Sequence, residues 1–223
     1  MYPQTVRLLA NAILTVFCIA LIISRLSELL IFGYHWFWAG PALFVACLNL
    51  YFLTQSFINK PKEMDTSLTS FFISVGASLG FCLSGAFITY PVIEFAGMHE
   101  VRQLGSLLSL LPYPFVIWSL LCLGKCLTVI PEAHTVVAHG IYKYSRHPLY
   151  VCYIVWEIAN MLMFPAVPVI VGASLHIALL IVRLRREERL LLDTFPEYCT
   201  YYNTTGLIGR RMIFDPSANL NVR

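Results

Sequence analysis

The chain alternates between long apolar runs and short polar intervals, and the run lengths set the first expectation. A helix that crosses the hydrocarbon core of a bilayer needs about 20 apolar residues. Residues 8–32, 36–58, 68–90 and 104–123 each meet that requirement. Pro112 and Pro114 interrupt the fourth run, and a kink there is tolerable where neighbouring helices satisfy the freed backbone groups. A polar interval, 125–148, comes next. A second apolar block then covers 149–182, split by Pro165 and Pro168. Each half amounts to roughly 25 Å of helix. The block is predicted to be a tight helical hairpin turning near 164–168, with an interfacial tail after Arg183. The interval 60–65 is charge-balanced and reads as a plain connector. The expected fold is an all-α, polytopic transmembrane helical bundle of about six membrane helices. Residues 1–124 would form four spans, and residues 125–223 a loop, the hairpin and the tail.

Composition and charge sharpen this picture. The 223 residues are 58% hydrophobic and 12% charged, about half the charge a soluble domain carries. A net charge of +3 is too small to suggest a nucleic-acid partner. With six spans both termini share one side, which collects Arg7, Lys60, Lys62, Lys125, Lys143, Arg146 and the arginines from Arg183 onward; the other side holds Arg102 alone. That asymmetry predicts cytoplasmic termini, in the endoplasmic reticulum of a eukaryote or the inner membrane of a bacterium. The first run contains Arg25 and Glu28 and lacks a small-residue cleavage site, so it reads as a retained span rather than a signal peptide. Arg25 and Glu28 stand three apart and are expected to form an internal ion pair. The seven cysteines lie mostly in apolar runs, without the spacing of a secreted framework, and read as reduced.

Candidate chemistry gathers in the last ninety or so residues. Arg146 and His147 directly precede Pro148, a residue suited to the first turn of a helix. They therefore stand at a helix entrance whose dipole favours an anionic group. Gly140 allows a turn or a close approach to a ligand. Glu187 and Glu188 are adjacent, so on a helix they point about 100° apart, one inward and one towards an arginine. Glu157 lies within an apolar span, where an ionisable side chain needs a partner or a polar cavity. Asn160 shares its helix face. An arginine is the ordinary partner for Glu157. His134, His139 and His147 fit no metal-ligand spacing, and no metal is expected.

Residues 140–150 (GIYKYSRHPLY), followed about forty positions later by Glu187 and Glu188 and then by 195–198 (FPEY), resemble the isoprenylcysteine carboxyl methyltransferase family and its phospholipid methyltransferase relatives. The likeness covers roughly 134–207. It implies a membrane methyltransferase using S-adenosyl-L-methionine, in a site capped by the cytoplasmic loop and tail. His134, Val137, Gly140, Tyr142, His147, Tyr150, Glu187 and Glu188 would hold the cofactor. Arg146 would orient a substrate carboxylate, and Glu157 or a histidine is the candidate proton acceptor should the methyl acceptor be an amine. A lipophilic substrate, such as a prenylcysteine, would enter sideways from the membrane lipids. Methylation of a lipid amine or small thiol, an NADPH-dependent reductase of the sterol-reductase type, and a non-enzymatic scaffold or transporter are the competing classes.

Overall fold

The computed structural model describes residues 3–32, 36–58, 60–80 and 93–209. They form α1 (Pro3–Phe32), α2 (Trp36–Ile58), α3 (Leu68–Leu79), α4 (Met98–Leu110), α5 (Pro112–Leu123), α6 (Pro148–Met163), α7 (Val167–Thr194) and α8 (Pro196–Thr204), with one two-residue strand pair. Among the described residues, three stretches are long and apolar enough to cross a membrane: Gln4–Ser27, Met98–Cys126 and Val167–Thr194. Gly40–Gln55, Leu68–Leu79 and Pro148–Met163 are shorter apolar helices. The chain is a helical membrane protein. The last part of the 68–90 run falls outside the described residues, as does the side chain of Glu28.

Two elements differ from expectation. The fourth run begins at Met98 and is two helices meeting at Leu111, where Pro112 opens α5 without breaking the helical dihedrals. The second hairpin arm is far longer than half of the apolar block. The turn does fall at 164–166, but α7 continues for 28 residues to Thr194, about 42 Å of helix. Since the hydrocarbon core is about 30 Å thick, the segment from Arg183 onward continues as helix beyond it. The charged cluster is therefore carried on a rigid rod and not on a tail.

α1 lies along α2, α4 along α6, and α3 along α7, while α5 bridges α2 and α6. One core gathers Val45, Val116, Leu120, Leu149 and Cys152; another gathers Ala77, Tyr150, Leu180 and Leu184. Ile23, Phe72, Leu107 and Val171 point outward and are exposed, as lipid-facing side chains are. α4 and α6 approach closely at Gly105, where an added Cβ would lie 2.9 Å from Leu162 Cβ and 3.0 Å from the Ala159 carbonyl oxygen. Small residues permit such contact between membrane helices. Gly105→Leu is expected to push them apart, destabilising the protein by about 1–3 kcal/mol; thermal unfolding in detergent reads this, and an unchanged midpoint would refute it.

The interval 60–65 is not a plain connector. Glu63–Met64 (β1) pairs antiparallel with Glu132–Ala133 (β2), flanked by bonds from Lys62 N to Ala133 O (2.8 Å) and from Asp65 N to Pro131 O (3.1 Å). Residues 129–133 are buried, and buried backbone groups require partners. The interval supplies them.

Candidate active site

The polar interval reaches its position through two local devices. Gly140 adopts φ +57, a left-handed conformation that favours glycine, and opens a 3₁₀ turn over Gly140–Lys143. A side chain there would also collide with Cys122 Sγ. Pro148 then opens α6 with His147 as its N-cap. Between these devices stands Arg146, buried.

Arg146 donates three hydrogen bonds from its guanidinium within the protein and adds an ion-pair contact through Nη2. Its Nε and Nη2 each lie 2.8 Å from Glu188 Oε1. Its Nη1 donates to the carbonyls of Tyr202 (2.8 Å) and Thr205. His147 Nε2 lies 3.3 Å from the same Glu188 oxygen, a charge contact without hydrogen-bond geometry. Further bonds tie the segment to the end of the chain. Ser145 Oγ donates to Leu207 O (2.5 Å), Arg146 N to Gly206 O (3.1 Å), and Tyr201 OH to Tyr142 O (2.5 Å). Burial, partly offset by Arg146, pushes the Tyr201 phenol up to about 12, so it remains a neutral donor at physiological pH. Burial also raises Tyr142, and the Glu187 carboxylate adds to the effect.

Glu187 and Glu188 diverge as their adjacency predicts. Glu188 holds Arg146, and Glu187 accepts from Tyr150 OH at 2.6 Å. A cavity of ≈ 430 Å³ opens beside them, and its wall includes His134, Val137, Tyr142, Arg146, His147, Tyr150 and Glu187. Three expected site residues are not on that wall. Gly140 packs against Cys122 and supplies the turn. Glu188 stands behind the wall as the partner of Arg146. Glu157 is fully buried and hydrogen-bonds His176 Nδ1 at 2.6 Å, so its partner is a histidine rather than an arginine. Asn160, on the same face, does reach the cavity. Arg146, on the wall, also fastens the C-terminal helix through its bonds to Glu188, Tyr202 and Thr205.

Sequence reasoning missed several residues. Glu132, fully buried at its side chain, accepts from Arg7 Nε at 2.9 Å and meets His134 Nε2 at 2.9 Å. This links the start of α1 to the loop that bears His134. Arg7 and Glu132 are 125 positions apart, and no local pattern joins them. Tyr198 and Tyr201 of α8 also line the cavity, as does Arg183. His176 had a readable signal: a lone histidine inside an apolar run.

Among the described residues, no group of three His, Cys, Asp or Glu side chains converges as a metal site. No curated protein matches the chain. Residues 106–193, which carry the Arg146–Glu188 contact and nearly all of both hairpin helices, match the family model for isoprenylcysteine carboxyl methyltransferase (ICMT).

Proposed function

We propose that the protein is an S-adenosylmethionine-dependent methyltransferase that esterifies the carboxylate of a lipophilic, prenylcysteine-like acceptor drawn from the bilayer. The observation that carries this reading is the convergence of Tyr150, His147 and Glu187 on one cavity, inside the segment that matches the family. S-adenosylmethionine brings a methyl group already activated by its sulfonium, so no nucleophile on the protein is needed. The residues present fit such a molecule. Glu187 is a carboxylate acceptor suited to an amino group or ribose hydroxyls. The tyrosine rings on the wall suit a cation. His134, Val137, Tyr142, His147 and Tyr150 would complete the holder.

An acceptor carboxylate is ionised at pH 7 and needs only orientation and the exclusion of water. Arg183 is the residue best placed to orient it. Its Nη1 donates to Ser78 Oγ (3.0 Å) and its Nη2 to Thr128 O (2.9 Å), while its Nε is buried without a partner. Among the described residues no carboxylate lies within ion-pair distance of Arg183.

Calorimetry with purified protein tests the reading. S-adenosylhomocysteine is expected to bind with an affinity on the order of micromolar and NADPH not at all; the reverse result would replace methyl transfer with reduction. Glu187→Gln is expected to weaken S-adenosylhomocysteine binding about tenfold or more, the loss of roughly one charge-assisted hydrogen bond. Unchanged affinity would remove Glu187 from the site.

The same reading includes a six-span topology with both termini and the site in the cytoplasm. The concentration of basic residues at the end of the bundle bearing Arg7, Lys125, Arg146 and Arg183 supports it. Cys199 on α8 is exposed. In a Cys47→Ala background, a membrane-impermeant maleimide is expected to label Cys199 only from the cytoplasmic side; labelling from outside would reverse the orientation.

A further inference from the structure

The cavity extends well past the end that bears Glu187, and three helices measure its length independently. On α1 the wall residues Leu14, Cys18, Leu21 and Arg25 recur on one face, covering about 16 Å at 1.5 Å per residue. On α6 the wall runs from Leu149 to Met163, about 21 Å. On α7 it runs from Leu191 back to His176, about 22 Å. Together they describe one elongated space, with Glu187 and Leu191 towards one end and Asn160, Met163 and His176 towards the other.

The far end is not plain hydrocarbon, although it lies between membrane helices. Most of its polar groups are already engaged. Ser109 Oγ donates to Ser106 O (2.8 Å), and Trp156 Nε1 donates to Ser109 O (2.7 Å). Both ring nitrogens of His176 are taken, by Glu157 and by Ala77 O. Arg25 has interactions of its own. Asn160 differs. It lines the cavity, and its side-chain amide makes no hydrogen bond to any of the described residues. A saturated chain pressed against it would displace water from a donor and an acceptor and replace neither bond, which makes such contact unfavourable. A chain bearing a hydroxyl or carbonyl at that depth would satisfy the amide. Sites built around an otherwise unpaired polar group discriminate strongly against analogues that lack the matching group.

We infer that Asn160 anchors a second polar subsite, which selects acceptors carrying a hydroxyl or carbonyl at the far end of their hydrophobic chain over acceptors ending in hydrocarbon. The inference rests on the reading above only for which end of the acceptor is methylated; the selectivity itself is a property of the cavity.

Two amphiphiles with the same carboxylate head test it: S-dodecyl-mercaptoacetate and its ω-hydroxydodecyl counterpart. Each is titrated by calorimetry into the full chain in nanodiscs, with S-adenosylhomocysteine present. The ω-hydroxy compound is expected to bind at least tenfold more tightly, with that preference lost in both Asn160→Leu and Asn160→Ser. S-adenosylhomocysteine affinity, measured in each variant, reports that the fold is intact. Equal binding of the two compounds to the unmodified protein overturns the inference, as does a preference that persists in both folded variants. Failure of the methyltransferase reading would show differently, as absent S-adenosylhomocysteine binding, and the comparison between the amphiphiles would still be read.

Discussion

Arg146→Ala is expected to release the C-terminal helix from the polar interval and to eliminate measurable S-adenosylhomocysteine binding. The guanidinium reaches Glu188 through two nitrogens and the Tyr202 and Thr205 carbonyls through the third. Its removal leaves a buried carboxylate without its main countercharge and two carbonyls without donors. Breaking one side of a buried pair in this way costs about 3–5 kcal/mol. The loss is structural first and functional second, because Tyr198 and Tyr201 on the released helix form part of the cavity wall. Arg146→Lys should recover little, since a single ammonium cannot serve partners spread across a planar fork. Thermal unfolding together with calorimetry separates the outcomes. A variant with unchanged melting and unchanged affinity would show that the clasp is dispensable.

The second large effect concerns the pair inside the hairpin. His176 Nε2 lies 2.9 Å from Ala77 O, a carbonyl in the last described turn of α3. A carbonyl only accepts, so Nε2 carries a hydrogen. His176 Nδ1 and Glu157 Oε1, 2.6 Å apart, then share one proton, and the pair is neutral overall whichever atom holds it. That arrangement makes a carboxyl group tolerable in a membrane span. His176→Leu strands Glu157 and is expected to destabilise the protein by about 3 kcal/mol or more. Glu157→Leu strands only a neutral ring nitrogen and should cost less, about 1–3 kcal/mol. The double variant Glu157→Leu/His176→Leu should lose far less than the two singles together. Additive losses in a thermal double-mutant cycle would mean that the two side chains are not coupled.

Much of this was readable from residue order, and the failures have physical causes. Apolar run length located α1 and α2 and the hairpin turn, because membrane thickness acts directly on sequence. It ended α7 too early because hydropathy reports where the lipid stops, not where the helix stops. Residues 183–192 are rich in arginine, glutamate and leucine, which all favour helix, and they simply carry α7 onward. The divergence of Glu187 and Glu188 followed from helical geometry alone. Their assignments did not. Which one faces the cavity depends on Tyr150 and Arg146, neither of which is local. The β1–β2 pair is too short to show an alternating pattern, and the Arg7–Glu132 contact joins opposite ends of the chain's first two-thirds. Glu157 was correctly singled out as requiring a partner. The partner was misjudged because charge balance suggested arginine, whereas a shared proton serves equally well in a medium that excludes ions.

The link from Arg7 through Glu132 to His134, reinforced by the two-residue strand pair, bears on how this protein can be engineered. A hybrid that transplants only the family-matching segment into another scaffold would leave Arg7 and the 60–65 interval behind, and with them the countercharge and strand pairing that hold Glu132 beneath the His134 ring. Exchanging the first helix alone would remove Arg7 and strand the same carboxylate. Successful domain swaps must therefore move the opening helix, the 60–65 interval and residues 129–134 as a single cassette, although they are scattered along the gene.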